Sequence, residues 1–152
     1  MDFNHFDRAA AAAPIILVVN FDEATLYLSD GALRAISWPQ QLQIMINDEK
    51  HSLLVRPCKP DDAQAFEVPN SREAPLEISE RSIVKRIRNC LDRDVMRSVM
   101  ASKAAKGKGA MTLLACYGET VFSPQAVVFN LSELKPLDEI SLSEILTRIT
   151  PS

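Results

Sequence analysis

Apolar positions recur along most of this chain with the periods of short strands and helices. Ile15-Ile16-Leu17-Val18-Val19 is a continuous apolar run between Pro14 and Asn20, which predicts a buried strand. Alternation follows at 24–28, with Ala24, Leu26 and Leu28 facing one way. Ser29 or Asp30 then caps a short helix carrying Leu33 and Ile36, and Trp38-Pro39 ends it. Leu42, Ile44 and Ile46 alternate again, Asn47-Asp48-Glu49-Lys50 is a polar turn, and Leu53 and Val55 supply the returning strand. Residues 24–57 therefore read as strand, short helix, hairpin.

The second half is less regular. Residues 59–75 are polar and broken by Pro60, Pro69 and Pro75, with one strand-like stretch at 65–68, as expected of a connecting loop. Leu76 and Ile78 predict a short strand, and Ser79 is placed to cap the helix after it. On that helix Ile83, Val84, Ile87 and Leu91 share a face with Cys90 beside them. A break at 92–94 follows, because a continuous helix would turn Asp94 onto the apolar side; a second helical piece then carries Val95, Met96 and Val99. Residues 104–110 read as a loop. Residues 111–117 and 126–131 read as strands joined across Gly118 and Pro124. Ser141-Leu142-Ser143-Glu144 is a capping box, with Ile140 able to staple to Ile145, and Leu142, Ile145, Leu146 and Ile149 form the stripe of a last helix. No internal repeat is evident.

These elements predict an α+β fold of two small lobes, made of short, mostly antiparallel strands with a few helices sharing one core. Residues 1–13 form an N-terminal docking helix or tail, with Phe3 and Phe6 on one helical face. Residues 14–68 form a strand–helix–hairpin lobe and 69–152 a helix-plus-strands lobe, a single compact domain being the other arrangement. A chain of 152 residues with 47% apolar and 24% charged side chains can build its core without staples.

Composition excludes more than it assigns. Cys58, Cys90 and Cys116 are odd in number and scattered, and only His5 and His51 are available to join them, so no structural zinc pattern exists. The apolar stretch at 9–19 is interrupted by Pro14 and too short to span a bilayer, and Asp2 and Asp7 acidify the place where a signal peptide is positive. The expectation is a cytoplasmic protein with reduced thiols. Lys106-Gly107-Lys108-Gly109 lacks the Ser or Thr and the strand-to-helix context of a phosphate-binding loop. Neither histidine has a partner pattern for nucleophilic catalysis, and the pairs Asp48/Glu49, Asp61/Asp62 and Asp138/Glu139 fall in turns, where carboxylates are poorly placed for shifted pKa values. No enzymatic activity, cofactor, metal or small-molecule substrate is expected.

Charge is partitioned along the chain. Residues 1–80 hold thirteen acidic and six basic side chains, a net of −7. Residues 81–108 hold nine basic side chains against Asp92 and Asp94, a net of +7. On a helix Arg81, Lys85 and Arg88 lie opposite Ile83 and Ile87, and Arg86, Arg93 and Arg97 extend the charge. Such a stripe serves three ends: a solvated face, a contact with acidic protein surface, or a contact with phosphates. No aromatic side chain interleaves it, which leaves out the stacking element of single-strand binders.

The order strand, short helix, hairpin at 24–57 resembles the AbrB-like swapped-hairpin DNA-binding domain. That resemblance implies a homodimer whose chains interleave their hairpins and read DNA through basic side chains, although here Arg34, Lys50 and Arg56 are outnumbered by neighbouring acids. Leu54-Val55-Arg56-Pro57-Cys58, Tyr117-Gly118 and Val127-Val128-Phe129-Asn130-Leu131 resemble stretches of a group of small bacterial proteins of unknown function. The functional expectation is a non-enzymatic binding or regulatory protein, a homodimer, contacting nucleic acid through 81–108. The alternative is a protein-interaction or structural module, also a homo-oligomer, whose basic helix meets an acidic protein surface.

Overall fold

The computed structural model describes residues 14–68, 75–91, 93–106, 113–122 and 125–136. The expected docking helix at 1–13 and the capped helix at 140–149 lie outside the described residues. Nine strands form one antiparallel sheet: β1 (Ile16–Asn20), β2 (Thr25–Leu28), β3 (Gln41–Asn47), β4 (Ser52–Pro57), β5 (Ala65–Glu67), β6 (Leu76–Ser79), β7 (Leu113–Phe122), β8 (Gln125–Asn130) and β9 (Lys135–Pro136). Among the described residues three α-helices interrupt it: α1 (Asp30–Ala35), α2 (Arg81–Asn89) and α3 (Arg93–Lys106).

The strand order is β5-β3-β4-β8-β7-β1-β2-β6, with β9 alongside β7. The sheet curls into a nearly closed barrel, and the protein is mainly β. This corrects the expected α+β fold of two lobes. The reason lies in partnering: β1 pairs β7, β2 pairs β6 and β4 pairs β8, so strands from the two chain halves join in one sheet instead of closing a lobe each.

Side-chain alternation then fills the barrel. Leu17, Val19, Leu26, Leu28, Leu42, Ile44, Leu53, Val55, Val127 and Phe129 point inward and are buried. From α1 come Leu33 and, just past its end, Ile36; from α2 come Ile83, Val84 and Ile87. Ser29 fixes the start of α1 and the start of β1 together. Its hydroxyl donates to the Pro14 carbonyl (2.7 Å) and accepts from the N–H groups of Ile16 (2.9 Å) and Ala32 (3.3 Å). Asn20 shapes the β1–β2 turn by accepting from the N–H groups of Asp22 and Glu23.

Three local expectations are corrected. Ser79 does not cap α2; it ends β6, with its hydroxyl 3.3 Å from that of Thr25, and Glu80 occupies the cap position, its side chain making no capping bond to the helix backbone. Gly118 does not end a strand but sits inside β7, where its N–H donates to the Ile15 carbonyl. Residues 104–106 belong to α3, and 107–112 lie outside the described residues.

The pairings also reveal a repeat that the sequence pattern did not. Leu26 faces Ile78 and Leu28 faces Leu76, so exchanging Leu26 with Leu76 and Leu28 with Ile78 leaves the β2–β6 register unchanged. Leu53 faces Phe129 and Val55 faces Val127, and exchanging Leu53 with Val127 and Val55 with Phe129 does the same for β4–β8. The hairpins obey the same exchange, Ile44 opposite Val55 corresponding to Gly118 opposite Phe129. Leu42 opposite Phe66 likewise corresponds to Cys116 opposite Leu17. Thus β1-β2-α1-β3-β4 and β5-β6-α2-α3-β7-β8 are two copies of one arrangement about a pseudo-two-fold axis. Only the counterpart of the β1–β2 pairing is absent among the described residues, and that gap, between β5 and β6, is where the barrel stays open.

Candidate nucleic-acid interface

Helix α2 lies on the barrel because its apolar residues recur at helical spacing, burying Ile83, Val84 and Ile87, with Cys90 just beyond its end. That anchoring turns Arg81, Lys85 and Arg88 outward, and all three are exposed. Arg86 and Arg88 fall in the last turn, where positive charge complements the carbonyl end of the helix. The helix stops at Asn89, and α3 starts at Arg93 with Asp94 in its first turn, so the break falls beside the expected position; Asp92 itself lies outside the described residues. Arg93 and Arg97, one turn apart, are also exposed, while Val95 and Leu91 pack against the core. Nothing is described of the side chains of Val99, Lys103 and Lys106, and Lys108 lies outside the described residues.

Arg86 has a different task. Its guanidinium donates to the Ile46 carbonyl (2.9 Å) and to the Asp48 carboxylate (3.3 Å), tying α2 to the β3–β4 turn. Both side chains are about half exposed or more, so the ion pair itself adds less than about 1 kcal/mol. Among the described residues the ion pairs are Asp48–Arg86 and Asp30–Arg34, and Arg81, Lys85, Arg88, Arg93 and Arg97 enter none. The six sequence-predicted residues therefore divide into five outward cations and one tether. Sequence reasoning had no signal for the tether, because it depends on where a distant turn lands.

A second feature went unseen in the sequence. Ile16, Ala115, Cys116, Tyr117, Glu133, Lys135 and Pro136 line a cavity of about 510 Å³ where β1, β7 and β9 meet. Burial pushes the Cys116 thiol up to about 12, and Glu133 adds to the shift, so this sulfur is not a nucleophile at ordinary pH. Burial also raises Cys58 and Cys90, helped by Asp62 and Asp48 respectively and opposed by Arg56 and Arg86. His51 stands exposed at a turn with φ of 51°, and His5 lies outside the described residues. Among the described residues no group of three or more His, Cys, Asp or Glu side chains is placed to hold a metal, and no helix is long and apolar enough to cross a membrane.

Comparison with known proteins adds no neighbour: no protein-family model, curated protein or solved structure matches the chain.

Proposed function

We propose that this is a cytoplasmic, non-enzymatic regulatory protein that binds nucleic acid through the outward face of α2 and the first turns of α3. The observation that carries the reading is the set Arg81, Lys85, Arg88, Arg93 and Arg97. These side chains are exposed on helices anchored to a rigid barrel and unpaired with any carboxylate among the described residues. Five cations gathered on one exposed face raise a local positive potential, which is what attracts a phosphate backbone.

The test is fluorescence anisotropy of a labelled mixed-sequence duplex against wild type and the triple variant Arg81→Glu, Lys85→Glu, Arg88→Glu. Wild type binds at about 50 mM salt and the variant binds at least about 100-fold more weakly. Because all three side chains are exposed, circular dichroism of the variant stays unchanged. Equal binding by the two proteins refutes the reading.

A protein-interaction role is the second reading. It is favoured by the apolar side chains on the strands, with Phe122 exposed to 81% and Met45, Tyr117 and Val121 also open. A wild-type protein that does not bind the duplex at about 50 mM salt would move the assignment to that class.

A further inference from the structure

We infer that a single chain, not a dimer, makes this contact, and that it grips the phosphate backbone of a duplex from one side only. The inference rests on the function just proposed and on two observations that the proposal does not use.

The first is the pseudo-two-fold. An interleaved dimer needs a second chain to supply the partner of each hairpin. Here β4 of the first copy pairs β8 of the second, β1 pairs β7 and β5 pairs β3, all within one chain. The barrel is completed internally except for the β5–β6 gap, so a second chain has no hairpin left to exchange.

The second is that the two copies differ in charge at the helix that follows the matched strands. The two helices match from their cap positions, Ser29 and Glu80, which places the buried Ala32, Leu33 and Ile36 where the other copy has the buried Ile83, Val84 and Ile87. Asp30 and Arg34 then stand where Arg81 and Lys85 stand. The one arginine of α1, Arg34, is held by Asp30 at 2.6 Å. A symmetric reader would show its cationic face twice; the described residues show it once.

The face itself favours backbone over bases. The described exposed side chains on α2 and α3 include no aromatic, and the exposed aromatics Tyr117 and Phe122 are on β7. Four of the five outward cations are arginine, whose planar fork matches phosphate oxygens. If all five meet phosphates, the logarithm of affinity falls with the logarithm of salt at a slope of about −4.5, a loss of roughly 500-fold between 50 and 200 mM.

The experiment combines light scattering of the full chain, free and bound, with titration of a labelled duplex of about 12 base pairs and of its separate strand. The expected result is the mass of one chain when free, one chain per duplex at saturation, the steep salt dependence, and at least tenfold preference for the duplex. A free protein with the mass of two chains overturns the inference, as does a pair of chains on one short duplex or equal binding of the single strand; in those cases duplex binding lost on charge reversal leaves the proposed function standing. Binding of neither form at 50 mM salt overturns both, and the mass of the free protein then reports on the pseudo-two-fold alone.

Discussion

Gly118 is where the two copies of the barrel unit trade volume, and replacing it by alanine tests the packing argument directly. A methyl group built on its α-carbon lies 2.6 Å from Cε1 and 2.8 Å from Cδ1 of Phe129, and 2.9 Å from Cγ2 of Ile15. All three distances are shorter than carbon atoms tolerate, and Phe129 is fully buried, so its ring cannot swing out to solvent. In the other copy the same pair of positions holds Ile44 and Val55: a larger side chain faces a smaller one where glycine faces phenylalanine. Gly118→Ala overpacks the core and is expected to cost about 1–3 kcal/mol, which lowers the melting temperature by roughly 3–10 °C in a chain of this length.

The assay is urea unfolding followed by tryptophan fluorescence and circular dichroism, on wild type, Gly118→Ala, Phe129→Val and the double variant. Phe129→Val alone leaves a cavity and costs about 2–4 kcal/mol. If the methyl group and the ring compete for one space, the double variant is more stable than the sum of the two losses by at least about 1 kcal/mol. Additive losses, or a Gly118→Ala protein as stable as wild type, would refute the close contact and with it the volume exchange between copies.

Three further outcomes follow from the same structure. Ser29→Ala removes the hydroxyl that joins Pro14, Ile16 and Ala32, and is expected to lower stability by about 1–2 kcal/mol in urea unfolding, whereas Ser82→Ala, whose exposed hydroxyl bonds only Glu80, changes it by less than about 0.5 kcal/mol. With Ellman's reagent at pH 8.5, half-exposed Cys58 reacts first, while Cys116, raised from 9.0 to about 12, reacts only after unfolding. For Cys116 the folded state keeps its proton longer than the unfolded chain, so the shift also removes stability as pH climbs from about 9 towards 12, and Cys116→Ser or Cys116→Ala flattens that decline.

Local structure was legible because it is written in spacing. The alternations at 24–28, 42–46 and 53–55, the cap at Ser29 and the buried face of Ile83, Val84 and Ile87 each depend on neighbours within a few residues, and each is present. Partner choice depends on distant segments and was not legible. Nothing within 52–57 specifies that β4 adds β8 on its far side, so the hairpin reads as part of a 14–68 lobe separate from β8. Ser79 illustrates the same limit, since a serine before a helix reads as a cap until a strand partner takes it. The repeat was hidden for two physical reasons. Helix α3 occurs in one copy only and displaces the second hairpin along the chain, and compensating pairs such as Ile44–Val55 and Gly118–Phe129 preserve volume while erasing identity.

The cationic face was legible for the opposite reason: it needs no distant partner, only a helix with one side buried. What the sequence could not supply was its singularity. Charge on α2 becomes informative once α1 is known to occupy the equivalent place, because symmetry then provides an internal control. Both helices bury aliphatic side chains at the same points after their caps, Leu33 and Ile36 in one and Val84 and Ile87 in the other, so packing demands were met in the same way twice. Packing therefore does not account for the unpaired cations Arg81 and Lys85 in one copy against the ion pair Asp30–Arg34 in the other, nor for the addition of α3 with Arg93 and Arg97 beside only one of them. A difference that the fold does not require, concentrated on one exposed surface and of one sign, is what a one-sided electrostatic contact would leave behind.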